Sequence, residues 1–333
     1  MSQKIKDSTL SLLNKAGVFR FVRLVNKSQI RILAYHRFGE GYFRAKCLER
    51  QIEYLKKHYN IIDLESCLAF LCGKKQLPTN AVFLTVDDGY QDFYSVAFPM
   101  LRKYAVPVTI FLAADFINKG MWLWHDLLNF GINNTSRTDF TFDGNFFDLK
   151  TYSGRSSLKL FLDKICTSCT TLERDLFIDQ VMKELNVSVP PHPTVEYAPL
   201  TWNQIREISK SGISYGAHTC THPILSRIPS HEALREIRES KYRIEAVTQN
   251  EVLAFCYPNG TVNDFNEEVK EMVEECGFAC AMSMIYGMNN LKTDKYALRR
   301  MPANGTSFAH FMHDVSGFGV LRRSLLKREK KFV

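Results

Sequence analysis

The sequence contains no uninterrupted apolar run of about 18 residues, the length that a helix needs to cross a bilayer. It also has no recognisable secretory signal, because the first residues lead into a broken apolar stretch without a small-residue cleavage pattern. These absences exclude a membrane-spanning helix, and we expect a cytoplasmic protein.

Internal repeats and low-complexity segments are absent as well. The 333 residues are 45% hydrophobic and 23% charged, a composition typical of folded proteins and not of disordered ones. The net charge of +8 suits an acidic or membrane-facing partner, or simply a solvated surface with excess lysine. We expect no nucleic-acid partner.

The nine cysteines lack the spacing of a zinc finger. Cys166-Thr-Ser-Cys169 is a lone C-x-x-C with no second pair at a suitable distance. A metal or redox role for this pair stays open, but reduced and buried thiols are the simpler interpretation. They point to a reducing compartment.

Short apolar runs alternate with helical patterns, which predicts parallel strands joined by crossover helices in an α/β fold. Seven such strands fit either a barrel or a doubly wound sheet. The candidate strands are Ile30–His36, Ala81–Asp87, Pro107–Leu112, Ile213–His218, Val252–Tyr257, Phe278–Met284 and Tyr296–Met301.

Helical patterns lie between most of these strands. Pro99 forces a kink or break in one of them. Thr201 with Gln204 predicts a capping box, and Ser230 is the expected N-cap of the longest helix. The predicted helices are Glu49–His58, Phe93–Tyr104, Trp202–Ser211 and His231–Gln249.

Residues 121–200 break this rhythm. Asp143-Gly144 interrupts an alternating apolar stretch, a strong hairpin signal. Two helical segments, Ser157–Cys166 and Leu172–Leu185, and a proline-rich return follow. We interpret this region as an insertion between the third and fourth strands that covers the mouth of the main domain.

Both ends of the chain mix basic and apolar residues. We expect a basic amphipathic segment at 1–29, a main domain at 30–320 and a basic tail at 321–333. Either end can lie on an anionic membrane surface or pack on the body of the protein. Peripheral association with the inner membrane face is therefore one expectation.

Two adjacent aspartates, Asp87 and Asp88, follow a predicted buried strand and precede Gly89. Neighbouring side chains on an extended chain point in different directions. They therefore cannot form a glycosidase pair, whose carboxyl groups lie about 5 Å or more apart across a sugar ring. The aspartates suit two separate tasks at a strand end, where α/β proteins place their sites.

His218 and His222 follow another predicted strand. Thr219 stands where a metalloprotease helix has glutamate, and Pro223 disfavours α conformation at His222, so the pair belongs to a turn. Two histidines and one carboxylate are a common catalytic zinc set. Together with the Asp-Asp-Gly stretch, the pair predicts a metal site.

A third candidate is the turn at Asn259-Gly260, which follows Pro258 at a strand end. Such a turn can offer a backbone N–H to a developing oxyanion. Taken alone, the pattern is equally compatible with an ordinary turn.

Taken in order, Thr85-Val86-Asp87-Asp88-Gly89, His218-x-x-x-His222 and Tyr257-Pro258-Asn259-Gly260 resemble the polysaccharide deacetylase family, the NodB-homology carbohydrate esterases. The resemblance covers residues 30–305. The segments RILAYHRF and GMWLWHDLL are similar to members that act on bacterial exopolysaccharides. The resemblance implies a distorted seven-stranded (β/α) barrel and a divalent metal, with zinc as the expected ion.

The resemblance also implies roles for the motif residues. Asp88, His218 and His222 would bind the metal. Asp87 would be the general base that takes a proton from the attacking water. The Asn259 N–H would help to hold the oxyanion.

The sequence departs from the family pattern at two places. Cys256 stands where the third motif usually carries an arginine that orients the base, and Arg299 or Arg300 is the candidate replacement. The late leucine-histidine motif, which supplies the acid, is missing. In exopolysaccharide deacetylases with rearranged motifs this histidine lies near the start of the domain, and His36 fits that position.

Further substrate contacts are expected at the mouth of the cleft. Aromatic rings of Trp122, Trp124 and Tyr257 are candidates to stack on sugar faces, although aromatics are more often core residues. The predicted substrate-binding set is Tyr257, Pro258, Trp124, Arg299 and Arg300.

The sequence thus predicts a metal-dependent hydrolase that removes N-acetyl groups from amino sugars in a polysaccharide, oligosaccharide or lipid-linked glycan. One alternative is an O-acetyl esterase or amide hydrolase with the same metal site. Another is an inactive glycan-binding protein, which Cys256 and the missing late histidine favour.

Overall fold

The computed structural model describes residues 3–39, 43–303, 305 and 307–329. Its strands are β1 (Arg31–Tyr35), β2 (Asn60–Ile62), β3 (Ala81–Val86), β4 (Val108–Leu112), β5 (Asp139–Phe142), β6 (Asn145–Asp148), β7 (Ile213–Ala217), β8 (Ala254–Cys256), β9 (Cys280–Tyr286) and β10 (Leu298–Pro302). Its helices are α1 (Gln3–Lys15), α2 (Val18–Val25), α3 (Ala45–His58), α4 (Leu64–Leu71), α5 (Phe98–Lys103), α6 (Ala114–Lys119), α7 (Trp124–Asn134), α8 (Tyr152–Cys166), α9 (Thr171–Glu184), α10 (Trp202–Ser209), α11 (Ser230–Thr248), α12 (Glu267–Glu275), α13 (Phe308–Ser316) and α14 (Phe318–Glu329).

Seven parallel strands close into a barrel, as predicted. Their order is β1-β10-β9-β8-β7-β4-β3, and β3 pairs with β1 to complete the ring. The buried strands β1, β3 and β4 read as continuous apolar runs because both of their faces are covered. The barrel therefore directs the carboxyl ends of all seven strands to one rim.

The short strand β2 was not predicted. It pairs with the first half of β3, whereas β4 pairs with the second half of β3 from Thr85 onward. Its three residues, Asn-Ile-Ile, are too few to show a period of two in the sequence. Strand β2 thus extends one edge of β3 without entering the closed ring.

Four predicted strands end one residue earlier than expected, at Tyr35, Val86, Ala217 and Cys256. The residues that follow them are His36, Asp87, His218 and Tyr257, which the predictions placed within the strands. Regular pairing stops there because the backbone turns; Asp88 and Thr219, for example, have φ of 71° and 65°.

The helix predictions hold except at some boundaries. Pro99 lies in the first turn of α5, directly after a π-helical turn at Phe93–Ala97, and Thr201 forms the predicted capping box with Gln204. Ser230 is the first residue of α11, not its N-cap. Pro229 occupies the N-cap without a side-chain hydrogen bond, so that prediction was wrong.

The insertion folds around a core of its own. Its hairpin turns at Asp143-Gly144, as predicted, with β5 and β6 paired on either side. Helices α7, α8 and α9 surround buried apolar side chains that include Leu128, Phe140 and Leu162. The sequence predicted α8 and α9 but not α7.

The ends of the chain pack on the body of the protein. Helices α1 and α2 contact α13, and α14 contacts α2, with Phe19 fully buried among them. Residues 321–329 of the predicted tail belong to α14, whereas 330–333 lie outside the described residues. Among the described residues, no helix has the length and apolar character needed to cross a membrane.

Candidate active site

The predicted motif residues meet in a pocket of about 210 Å³ at the barrel rim. Strand-end loops supply most of its walls, and the insertion contributes one histidine. The lining residues are His36, Asp87, Asp88, His125, His218, His222, Tyr257, Asn259, Met284 and Arg300.

The turn after β3 separates the two aspartates. Asp88 and Gly89 both adopt positive φ, 71° and 92°. A Cβ atom on Gly89 would lie 2.9 Å from a side-chain methyl of Leu112, so glycine is required for close packing as well as for backbone conformation. The turn directs the Asp87 carboxylate to Arg300 and the Asp88 carboxylate to two histidines.

Asp88, His218 and His222 form a buried cluster with the geometry of a metal site. Asp88 Oδ1 lies 3.4 Å from Nε2 of each histidine. His218 Nδ1 donates to the Cys256 carbonyl at 2.6 Å, which leaves Nε2 facing the Asp88 carboxylate. Burial opposes protonation of His218, but the neighbouring Cys256 and Asp88 raise its pKa well above the usual range, so a metal ion would replace the proton on Nε2. Within the described part of the chain, no donor forms a hydrogen bond to the buried Asp88 Oδ1. A divalent cation would satisfy this oxygen and both nitrogens.

The ionisation of Asp88 and His222 agrees with this interpretation. Burial opposes ionisation of Asp88, but the neighbouring His218 and His222 hold its pKa well below the ordinary value. Burial, with the nearby His218, lowers the pKa of His222 well below its usual range, so this imidazole is neutral and able to coordinate. The residues present therefore fit a divalent ion of the zinc type, for which mixed nitrogen and oxygen ligands are common.

The loop that carries both histidines is held in an unusual conformation. Thr219 and His222 have positive φ, and the His222 N–H donates to the Thr219 hydroxyl at 3.0 Å. The buried Glu236 of α11 accepts hydrogen bonds from the Cys220 and Thr221 N–H groups, both at 2.8 Å. Sequence analysis missed Glu236 because it lies in a regular amphipathic helix, where an acidic residue is ordinary.

Arg300 holds the second aspartate in place. Its guanidinium forms two hydrogen bonds with the Asp87 carboxylate, both 2.7 Å, and its Nε donates to the Ser283 carbonyl at 3.0 Å. Burial favours the neutral form of Asp87, but the charge of Arg300 outweighs it and lowers the pKa of Asp87 below its ordinary value. Arg300 is fully buried, and it contacts Asp87, the expected base, from beneath the pocket.

Arg299 does not join this site. Consecutive residues of a strand point to opposite faces, and Arg299 is exposed on the other side of β10, where it packs against Gly287. The prediction of Arg299 as a substrate contact therefore has no support in the geometry. Arg300 is the one of the two candidates that contacts Asp87, and the Cys256 Sγ lies 3.0 Å from its guanidinium.

His36 lies at the open side of the pocket. Its Nε2 is 3.4 Å from Asp87 Oδ2, and its side chain is 44% exposed. This position, beside the expected base and open to a substrate, is compatible with the predicted acid. The role itself stays a prediction.

The three site residues predicted in the turn after β8 lie in different environments. Asn259 has a φ of 57° and lines the pocket, and its N–H donates to no described residue. Tyr257 stacks on Phe265 with ring centroids 4.1 Å apart and donates its hydroxyl to the Tyr296 carbonyl, so its ring is a core aromatic and not a free stacking surface. Pro258 is buried and does not line the pocket.

The two tryptophans of the insertion differ in position. Trp122 donates to the Pro190 carbonyl at 2.9 Å and packs against Phe130, which makes it structural. Trp124 lies under the Arg174 guanidinium and lines a second cavity beside the pocket.

A buried hydrogen-bond network beside the pocket was missed. Tyr90 donates to Asp126 at 2.7 Å, and His125 Nε2 lies 3.0 Å from the same phenol oxygen. Burial lowers the pKa of His125 to about 4 and raises the pKa of Asp126 to about 7. The sequence signal for this network was its position next to candidate residues: Tyr90 follows the Asp-Asp-Gly stretch, and His125 and Asp126 follow Trp124.

Comparisons with known proteins agree with the fold and with the resemblance of the motifs. A family model described as polysaccharide deacetylase matches residues 74–143 and 173–281, more than half of the chain. YxkH of Bacillus subtilis, whose name contains the words polysaccharide deacetylase, is 20% identical over 303 residues, 89% of this chain and 80% of its own. The poly-β-1,6-N-acetyl-D-glucosamine N-deacetylase of Staphylococcus epidermidis is 26% identical over 176 residues, 50% of this chain and 57% of its own.

A solved structure shows the same fold. The deacetylase PplD of Streptococcus pyogenes aligns with a TM-score of 0.59 at 16% identity, covering 87% of this chain and 99% of its own. The closed parallel barrel and the strand-end motifs thus agree with the family match, and the chain belongs to the polysaccharide deacetylase family.

Proposed function

We propose that this protein is a metal-dependent N-deacetylase that removes acetyl groups from amino sugars within a glycan. One observation carries the proposal: a buried carboxylate oxygen, which has no hydrogen-bond donor among the described residues, faces two imidazole nitrogens, and a second carboxylate lies beside it in contact with a buried arginine. The name of the Staphylococcus epidermidis relative supports an N-acetylated amino sugar as the substrate class.

Asp88, His218 and His222 would hold the metal, and zinc is the ion that we expect from this donor set. When bound, such an ion polarises carbonyl oxygens and makes water more acidic. Because these three groups are buried, the pocket that His36 and Asn259 border is the route by which we expect substrate to reach them.

Asp87 is proposed as the base. Arg300 keeps it ionised at neutral pH and fixes its orientation, so the carboxylate can accept a proton from the attacking water. The Asn259 N–H, which donates to no described residue, would stabilise the oxyanion of the tetrahedral intermediate. His36, at the open side, would protonate the departing amine.

The alternative of an inactive glycan-binding protein rested partly on Cys256. Against it, Arg300 on β10 contacts Asp87, which is the contact that the resemblance gives to an arginine at the position of Cys256. An O-acetyl esterase would use the same residues, and no contact in the pocket favours it.

The test is acetate release by the purified protein on two substrate panels, N-acetylglucosamine oligomers and O-acetylated xylan, together with metal analysis. We expect about one tightly held divalent ion per chain, release from the N-acetylated panel and loss of activity on chelation. Bound metal without release from either panel would favour the binding-protein alternative. Release from the O-acetylated panel alone would favour the esterase.

A further inference from the structure

A second cavity, of about 550 Å³, opens beside the catalytic pocket and shares His125 and Asn259 with it. One wall comes from the insertion, with Trp124 on α7 and Lys159 on α8. The other comes from the barrel loops, with Arg227 and Asp264. We call this space, defined by these six residues, the seam cleft.

We infer that the seam cleft binds the sugar residues adjoining the one being deacetylated, and that it selects an uncharged glycan chain. This inference rests on the proposed function. The catalytic pocket, at about 210 Å³, is smaller than the roughly 300–1,000 Å³ usual for ligand sites, whereas the seam cleft falls within that range. A chain whose acetyl group enters the pocket between His125 and Asn259 therefore continues into the seam cleft.

The cleft offers hydrogen-bond donors that other protein groups have not taken. Trp124 is 7% exposed, and neither its Nε1 nor the Asn259 Nδ2 has a partner among the described residues. Buried donors of this kind are costly unless a ligand or water accepts from them. Sugar hydroxyls are suitable acceptors, and the tryptophan ring adds an apolar surface.

The charges along the cleft cancel. Lys159 forms an ion pair with Asp163, and Arg227 and Asp264 add one further positive and one further negative group. A cleft built for an acidic polymer would carry an excess of basic groups. The balanced lining instead fits a neutral chain of N-acetylated hexosamines.

The insertion wall is firmly supported. Leu158 and Leu162, which flank Lys159 on α8, are fully buried in the core of the insertion. Helix α8 also lies between the two stretches that match the family model. The Lys159 side of the wall therefore lies outside the matched stretches, whereas Trp124 lies within the first of them.

The experiment measures kcat and KM of the metal-loaded protein on N-acetylglucosamine oligomers from monomer to hexamer. We expect kcat/KM to rise with length, and Lys159→Ala and Arg227→Ala to raise KM for the hexamer by about three- to tenfold. The kcat and the metal content should stay unchanged. Lys164→Ala is the matched control, since Lys164 is exposed on the same helix and does not line the cleft.

The outcomes distinguish a failure of the proposed function from a failure of the role proposed for the seam cleft. No release on any oligomer by the unaltered protein would overturn the proposed function itself. Release that is independent of length, or variants that match the Lys164→Ala control, would overturn the seam cleft alone. Tighter inhibition by a polyuronate than by a neutral oligomer would overturn the selection for uncharged chains.

A second surface, independent of the catalytic site, lies on α2. Phe19 and Val22 are buried, while the opposite face exposes Phe21, Leu24 and Val25 by 65%, 54% and 55%. We call these three exposed residues the α2 outer face. Leu24 and Val25 follow Phe21 by three and four residues, and these spacings place the side chains on one side of the helix.

Basic residues accompany this apolar face without acidic ones. Arg20 and Lys27 are exposed beside it, and the sequence has no Asp or Glu between Asp7 and Glu40. Apolar side chains next to basic ones on a short amphipathic helix are typical of a helix lying in the headgroup region of an anionic membrane. We propose that the α2 outer face docks on such a lipid surface, which would place the enzyme at the cytoplasmic membrane.

The test is co-sedimentation with phosphatidylcholine vesicles, with and without added phosphatidylglycerol. We expect binding only to the anionic vesicles, weakened by salt, and about a tenfold loss in the double variant Phe21→Glu, Leu24→Glu. Leu176→Glu is the matched control, because Leu176 is 62% exposed on the insertion. Absence of binding, equal binding to neutral vesicles, or a change of oligomeric state in the double variant instead would overturn the proposal.

Discussion

The barrel rim and the insertion contribute to one cleft in different ways. The rim supplies Asp87, Asp88, His218 and His222 from loops that begin where strands end, with backbone conformations held by neighbouring groups. The insertion supplies side chains from regular helices around a separate core. The chemistry that we propose therefore depends on a closed sheet, whereas the substrate choice that we propose depends on a unit with a core of its own.

Substitution of the two rim aspartates should have the largest effect on activity. It also tests whether the two residues have separate roles within the rim. Asp88→Ala should lose the metal and at least about a thousandfold in kcat, since a ligand and the charge that attracts the ion are both removed. Asp87→Asn should keep the metal and lose a similar factor in kcat. Metal analysis beside acetate release checks both variants. Equal metal loss in the two would contradict the separate roles.

A slightly smaller effect is expected when the buried ion pair of the rim is broken. Arg300→Met leaves Asp87 as an uncompensated buried charge, which should lower the free energy of unfolding by about 3–5 kcal/mol. The pKa of Asp87 should rise, so remaining activity should shift to higher pH. Urea unfolding and a pH–rate profile measure the two effects. The neighbouring Arg299→Met, on the exposed face, should change neither.

The third prediction tests the insertion as a separate unit. Leu162→Ala opens a cavity in the insertion core and should cost about 2–4 kcal/mol of stability there. Hydrogen exchange should show that loss in α7, α8 and α9, with the barrel strands and metal content unchanged. Equal loss of protection in β3 and β7 would mean that the two regions unfold as one, and would break the comparison.

The smallest effect concerns the junction between the two regions, where Asp126 is buried beside Tyr90. Burial raises the pKa of Asp126 to about 7, so the folded protein binds this proton more tightly than the unfolded chain. The stabilisation is present at low pH and is lost as pH rises through about 7. Between about pH 5 and pH 8 the loss should be on the order of 2 kcal/mol. Thermal unfolding of Asp126→Asn should lack this slope, and a parallel slope in that variant would contradict the assignment.

Sequence patterns were sufficient to predict the barrel strands, because a buried parallel strand is a continuous apolar run that ends where polar residues begin. The motif residues could be predicted because they follow those runs directly, as Asp87, Asp88 and His218 do. Arg300 was predicted only as one of two candidates, since its role depends on which face of β10 points inward. His125 and Glu236 were missed because each lies in a helix without a local signal.

Substrate contacts were the weakest predictions. Tyr257 and Trp122 are aromatic residues near motifs, but the structure uses both in packing and hydrogen bonds within the protein. An aromatic side chain in a sequence does not show whether its ring meets a core residue or a cleft. That distinction depends on neighbours from distant segments, such as Phe265 and Tyr296 for Tyr257.

The sequence by itself determined the order of the seven barrel strands, the existence of the insertion and the identity of the motif residues, because these depend on local periodicity and on residue type. Only the tertiary structure decided which arginine contacts Asp87, which carboxylate supports the histidine loop and which insertion residues border the cleft. Those pairings join residues up to 213 positions apart in the chain. They form only when a closed sheet brings its strand ends to a single rim and a second core holds α7 and α8 against it.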